Sequence, residues 1–440
     1  NNKLSLRYSI LFIILSFNLI ASKLINAGPM VGYSHKREVA LWIQTTESAD
    51  VLFEYWEKEY PEKVFSTNSI LTAKESGFTA TIVADRVEPG RNYTYIPVIN
   101  NIPVDLGRLL EFQTQSHWEY RTDPPDFSFA AGSCSYINEP KYDRPGKSYG
   151  GEYYIFESIL DKNPDLMLWL GDNVYFREPD DSKTGVYHRY SHDKSIPELQ
   201  GLLGSVHHYA IWDDHDYGPN DSDKSFNGKD ITLQAFKDFY ANPSYGLDGE
   251  GITTQFSWSD VDFFLLDNRF FRTSKNRKTS KKEILGEKQI DWLINSLLYS
   301  KAPFKIIAIG GQFLNPVKAY ENHSNWEEER QLIIDLMTQE NIPGVIFLSG
   351  DRHFSEVTQM PRVGSYDLYD FTVSPLTSHY CDICVDEKNY NRVKDSGVFQ
   401  RNFAIFKVFG DRGDRQLRYA IHDSKGNELW YYDLHQNDLK

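Results

Sequence analysis

The stretch "DLMLWLGDNVY" (residues 165–175) is an apolar run that stops at Gly171-Asp172, with Tyr175 three residues later. It reads as a strand of an α/β domain whose tip carries ionisable groups. Four other stretches repeat the pattern. "DFSFAAGSCSY" (126–136) ends at Gly-Ser-Cys134, and "YAIWDDHDYGPND" (209–221) runs into Asp213, Asp214, His215, Asp216 and Asp221. "FKIIAIGGQFLNP" (304–316) ends at Gly-Gly-Gln312, and "PGVIFLSGDRHFSEV" (343–357) ends at Gly350-Asp351-Arg352-His353. In open α/β sheets ligands bind beyond the carboxyl ends of strands, and glycine there lets backbone turn sharply and approach closely.

Singly, each signal is weak. A Gly-Asp after a strand is more often a turn or a helix cap, and a lone histidine or cysteine is more often a packed core residue. Five strand ends carrying Cys, Asp, Tyr, Asp-His, Gln and Asp-His in one chain favour metal binding. The crowded acids of 209–221 also need cations, because carboxylates this close repel one another and cost much to bury unpaired. Thiolate, phenolate, carboxylate and imidazole together favour a ferric ion, while an all-oxygen site favours calcium or a similar hard cation. Asp172, between the two sets in chain order, suits a bridging carboxylate.

The 440 residues leave room for more than one domain, and the formal net charge of −15, with no Lys/Arg-rich run, argues against a nucleic-acid partner. At the N-terminus, Lys3 and Arg7 precede an apolar run from Ile10 to Ala21, and Ala27 offers a cleavage position. This is the pattern of a secretory signal peptide over residues 1–27, implying export to the periplasm or outside. No stable membrane span is expected after cleavage, though an uncleaved segment would serve as an anchor. Of three cysteines, Cys381 and Cys384 in "YCDIC" suit a local disulfide in an oxidising compartment, which leaves Cys134 unpaired.

Residues 28–122 alternate like strands and read as a small β-sandwich; "VEPGRNYTY" (87–95) resembles the tyrosine corner of fibronectin type III domains. The linker "RTDPPD" (121–126) ends it. From 127 to 440 apolar strands alternate with helical patterns. One of these, "LGEKQIDWLINSLLYS", places Ile290, Leu293, Ile294, Leu297 and Leu298 on one face. "WEEERQLIIDLM" reads as a second helix with acids in its first turn.

The motifs "GSCSY", "GDNVY", "WDDHD" and "GDRH", in this order behind a fibronectin-like segment, resemble the PhoD-like alkaline phosphatases. That family belongs to the calcineurin-like metallophosphoesterase superfamily, close to the purple acid phosphatases. The resemblance implies an α/β core of two packed mixed sheets flanked by helices, with metals at the strand ends. It implies a ferric site at Cys134, Asp172, Tyr175 and His353. Asp172 would bridge to a calcium site that includes Asp214, Gln312 and Asp351, with Asn315 near enough to compete with Gln312. His215 stands where the superfamily keeps a histidine facing the leaving group; Arg352 and Arg269 are candidates for holding substrate or, with no less weight, for salt bridges that brace a loop. The twin-arginine leader frequent among relatives is not seen, since Lys3 and Arg7 stand apart.

The expected reaction is hydrolysis of a phosphate monoester by hydroxide activated between two cations, with His215 protonating the departing alcohol. A phosphodiesterase, including one acting on phospholipids, uses the same ligands and differs only in pocket width. A surface-binding protein with a decayed site is the non-enzymatic alternative, although no motif position is visibly broken. A P-loop is excluded because Lys141 stands where glycine is required, and neither Gly-x-Ser-x-Gly nor His-Glu-x-x-His occurs.

Overall fold

The computed structural model describes residues 21–440, so the expected leader lies chiefly outside the described residues, and Ala27 falls within the strand Ile25–Ser34. The chain divides into two units: residues up to 117 with 190–208 and 238–241, and the remainder.

In the first unit, Ile25–Ser34, Val39–Thr45 and Thr79–Ala84 pair antiparallel. A second antiparallel sheet is built around Asp50–Glu57 and Asn92–Ile99. Strand alternation turns Leu41, Ile43 and Ile82 of one sheet and Phe53, Tyr55, Tyr93 and Tyr95 of the other into a single core. Tyr93 Oη accepts from Glu88 N–H at 2.8 Å, which ties the 87–90 turn to the strand that follows it.

The second unit holds two mixed sheets. Its first runs β12-β11-β10-β1-β2-β3, where β1 is Phe127–Gly132, β2 Leu166–Leu170, β3 His207–Ile211 (of which 209–211 lie in this unit), β10 Asn402–Phe409, β11 Gln416–Asp423 and β12 Glu428–His435. Its second runs β4-β5-β6-β7-β9-β8, where β4 is Thr254–Trp258, β5 Val261–Leu265, β6 Phe304–Ala308, β7 Val345–Ser349, β8 Glu356–Met360 and β9 Leu368–Thr372. Strands buried on both faces read as unbroken apolar runs: every residue of β2, β6 and β7 is buried. The sheets pack through aromatic rings. Phe129 of β1 stands edge-on to Phe263 of β5 at 5.2 Å, and Phe406 of β10 meets Phe371 of β9 at 5.7 Å.

Helices Ile155–Asp161, Glu287–Tyr299 and Glu327–Gln339 belong to this unit. On Glu287–Tyr299, Ile290, Leu293, Ile294 and Leu297 are buried as expected, but Leu298 is 41% exposed. Gln289 is buried instead, because its carbonyl accepts from Asp267 N–H and Thr253 Oγ1 at 2.8 Å each. Among the described residues no helix is long and apolar enough to cross a membrane.

Candidate metal centre

β1, β2, β3 and β7 end at one place, and after β1, β2 and β7 the candidate ligands stand on sharp turns. Cys134 (φ 59°), Asp172 (φ 51°), Asp351 (φ 69°) and His353 (φ 56°) all lie in the left-handed region that side-chain-bearing residues avoid. Such backbone costs roughly 1–3 kcal/mol per residue and clusters at functional sites. Close approach also demands glycine. A Cβ on Gly310, after β6, would lie 2.6 Å from Asp213 Cγ, and one on Gly171 would lie 2.7 Å from Asp213 Cβ.

At this convergence Cys134 Sγ and Tyr175 Oη each lie 3.5 Å from Asp172 Oδ2, and Tyr175 Oη lies 3.3 Å from His353 Nε2. Cys134, Asp172 and His353 offer ligand atoms within 4.8 Å of one another, and so do Asp172, Asp213, Asp214 and Asp351. Asp172 belongs to both sets, which is the bridging place expected of it. His353 Nδ1 donates to the His379 carbonyl. A carbonyl only accepts, so this bond fixes the tautomer with the Nε2 lone pair free for a metal.

The charges show why this cluster calls for cations. Burial first, then Asp214, Cys134, Asp213 and Asp351, push the Asp172 carboxyl well above the usual range. Burial followed by the neighbouring acids does the same to Asp351. Burial drives the Cys134 thiol up to about 12, against the hydrogen bond it accepts from Ser374 Oγ at 3.1 Å. Asp213 Oδ2 and Asp214 Oδ1 are buried without a hydrogen-bond partner. Metal ions favour deprotonated thiolate and carboxylate and give orphaned oxygens a partner, so the donor set fits: N/O/S ligands on one side of Asp172 and oxygens alone on the other.

Part of the compensation is built into the protein. Arg269 is fully buried, donates from Nε to Asp213 Oδ1 at 2.6 Å, forks onto Glu321 and lies 3.7 Å from Asp214 Oδ1. Of the two readings open from sequence, it is therefore the brace among carboxylates and not the substrate ligand. Arg352 is likewise corrected. Only 4% exposed, it pairs with Glu387, donates to Asn322 Oδ1 at 2.9 Å and lies over Tyr320 and Phe354. Gln312, expected as a calcium ligand, is fully buried with its carbonyl accepting from Arg352 and from Asn315 at 2.7 Å, while its amide donates to Glu356 at 2.7 Å. An oxygen that accepts from a guanidinium is poorly placed to bind a second cation. Asn315 is held in the same network.

Asp213 takes the place expected of Gln312 in the oxygen cluster. Glu321 was missed. It gathers with Asp214 and Asp221 and pairs with both Arg269 and Arg272. Asp216 is a cap, accepting from Asp213 N–H and Asn173 N–H at 2.9 Å each, and Asp221 pairs with Lys275 at 3.1 Å.

His215 is the second residue of the one-turn helix Asp214–Tyr217 beside the cluster. Its ring lies on Tyr175 at 4.2 Å, and its Nε2 is 4.0 Å from Asp214 Oδ2. It borders a cavity of about 1280 Å³ walled by Tyr136, Tyr149, Tyr175, Phe176, Phe226 and Ile231.

Comparison with known proteins bears on the fold and the family. Alkaline phosphatase D of Bacillus subtilis (strain 168) is 20% identical over 360 residues, covering 70% of this chain and 59% of the relative. The chain thus spans about three-fifths of that relative's length. A solved structure of PhoD superposes with a TM-score of 0.76 at 17% identity, covering 95% of this chain and 92% of the other. Purple acid phosphatase PPD1 from yellow lupin (Lupinus luteus) seeds gives a TM-score of 0.66 at 11% identity, covering 92% and 74%. Both likenesses establish the fold of two packed mixed sheets. The model of the PhoD-like phosphatase family matches residues 129–413, more than half of the sequence and every strand end described above, so the chain belongs to the PhoD-like phosphatase family.

Proposed function

We propose that this protein is an exported, metal-dependent phosphatase that hydrolyses phosphate monoesters. One observation carries the reading: Cys134, Asp172 and His353 on one side, and Asp172, Asp213, Asp214 and Asp351 on the other, share a single buried carboxylate. Tyr175 completes the first set, which suits a ferric ion, and the oxygen set suits calcium. Cations held there supply an activated water and offset the negative charge of the phosphate oxygens. His215, with its side chain 22% exposed at the cavity wall, is placed to donate a proton to the departing alcohol. Tyr175 supports that imidazole by a tilted ring contact, and Arg269 keeps Asp213 aligned by a charge-assisted hydrogen bond. Export is supported by the leader pattern of residues 1–27 and by the Cys381–Cys384 disulfide.

The cavity favours a second reading of the same site. A volume of about 1280 Å³ beside His215 has room for more than a phosphate group, which suits a bulky alcohol or the second arm of a phosphodiester. Rates on nitrophenyl phosphate and bis(nitrophenyl) phosphate, before and after chelation and metal restoration, separate the readings. Chelator-sensitive hydrolysis of the monoester supports the phosphatase. Turnover of the diester alone transfers the assignment to a phosphodiesterase, and chelator-insensitive turnover or none refutes the metal-dependent enzyme.

A further inference from the structure

The motif "YCDIC" has no part in the chemistry above, yet the segment that contains it holds both soft ligands of the metal centre. Leu376 N–H donates to Ser133 O at 2.8 Å, and Thr377 and Ser378 N–H donate to Cys134 O at 3.3 and 3.1 Å. Ser374 Oγ donates to Cys134 Sγ and accepts from His353 N–H at 2.9 Å. Further along, the His379 carbonyl accepts from His353 Nδ1, and Cys381 N–H donates to His353 O at 2.8 Å. Cys381 then closes on Cys384 through a disulfide across the short turn Asp382–Asp386. Glu387, just past that turn, forms the buried ion pair with Arg352, the residue before His353.

The candidate ligand His353 is therefore gripped four ways from residues 374–387: at its amide, at its ring, at its carbonyl and through its neighbour. Its own backbone, at φ 56°, is strained and stays in place only when its surroundings over-determine it. The disulfide sits between the two grips, at Cys381 and at Glu387. It shortens the range of conformations open to residues 381–384, and the turn's apex faces solvent, with Ile383 73% exposed.

We propose that the Cys381–Cys384 disulfide is a positioning device for the metal centre, holding the His379 carbonyl and the Cys381 amide where they orient His353 as a ligand. Opening it leaves the fold of the sheets intact but frees His353 to turn, so bound metal is lost faster. The proposal rests on the metal-dependent reading, and the test below distinguishes failure of one from failure of the other.

The experiment compares the wild-type protein with the Cys381→Ser/Cys384→Ser double variant. It also compares wild type before and after treatment with a dithiol, which becomes its own cyclic disulfide as Cys381 and Cys384 each gain a hydrogen. Two quantities are read: metal release to excess chelator, and backbone deuterium uptake in the metal-free protein. The expected result is release faster by about 10- to 100-fold, the usual cost of losing an outer-shell partner of a ligand. Uptake rises over residues 352–354 and 378–384 and is unchanged in β2 and β7, and reoxidation restores both quantities. Unchanged release from a metal-loaded variant overturns the proposal, as does unchanged uptake at 352–354. A wild type that binds no metal but shows the local rise in uptake supports the positioning role and overturns the metal-dependent function instead. If the double variant does not fold, reduction of the folded wild type decides.

Discussion

Replacing Arg269 by methionine separates a bracing role from a substrate-binding one. Arg269 is fully buried, 2.6 Å from Asp213 Oδ1 and 3.7 Å from Asp214 Oδ1, and it shares Glu321 with Arg272. Methionine keeps much of the volume and removes the charge. Glu321 retains Arg272, whereas Asp213 loses its guanidinium and keeps neutral donors such as the amide of Asn268, 2.8 Å away. Breaking a buried ion pair by deleting one partner costs about 3–5 kcal/mol. At an unfolding entropy of roughly 2.1 cal/mol/K per residue, a 440-residue chain shifts by about 1 °C per kcal/mol, so the metal-free variant should melt about 3–5 °C below wild type at neutral pH. The penalty exists only while the stranded carboxylates are ionised. Arg269 is among the charges that hold the Asp214 carboxyl below its usual range; without it the folded variant takes up a proton at higher pH than wild type does, and the deficit shrinks as pH falls toward the carboxylate range. Calorimetric melts of both metal-free proteins at pH 7 and pH 5, beside kcat/KM at pH 7, test this. A variant that melts like wild type at both pH values but has a raised KM would refute the brace and restore Arg269 as a substrate ligand.

Three further outcomes are expected. Gly310→Ala drives a methyl to 2.6 Å from Asp213 Cγ and Asn268 Nδ2, which should cost about 1–3 kcal/mol in urea unfolding and lower metal content; an unaffected variant would mean the close approach is not needed. Burial lowers His323 to about 3 and His422 to about 4. The unfolded chain therefore takes up protons below pH 6.5 while the folded protein does not, and stability falls with pH by about 1.4 kcal/mol per unit for each histidine. Urea titrations at pH 7.5 and pH 5 should show His422→Phe reducing that slope, and an unchanged slope contradicts it. Replacement of His215 by alanine should slow esters of poorly acidic alcohols by about 10²–10⁴ and esters of nitrophenol much less, with metal content retained. Equal slowing of both would remove His215 from the proton transfer.

Much of the centre was legible in the sequence because strand ends are punctuated. In Cys134, Asp172, His215 and Asp351 an apolar run, a turn and a reactive side chain follow one another, and a parallel sheet brings such tips together. Side-chain direction was not legible. Gln312 has the same punctuation, yet it turns into a network with Arg352, Asn315 and Glu356, since a buried guanidinium needs acceptors more than a strand tip needs a ligand. Glu321 carries no local signal, standing in the loop between Pro316 and the helix Glu327–Gln339; the clue was two buried arginines, Arg269 and Arg272, in want of an anion. Leu298 shows the limit of periodicity, because Gln289, tied to Asp267 and Thr253, buries a polar side chain on the helix while Leu298 stays at its wet edge.

The shared carboxylate is the point on which the proposed chemistry turns. Anomalous diffraction with elemental analysis on the wild-type protein and on Asp172→Asn addresses it directly. About two ions per wild-type chain, one beside Cys134 and His353 and one beside Asp213, Asp214 and Asp351, are expected from two-metal hydrolysis. Occupancy and hydrolysis should collapse together in the variant. An active wild type without metal, or a variant that keeps both ions and its full rate, would contradict the metal centre.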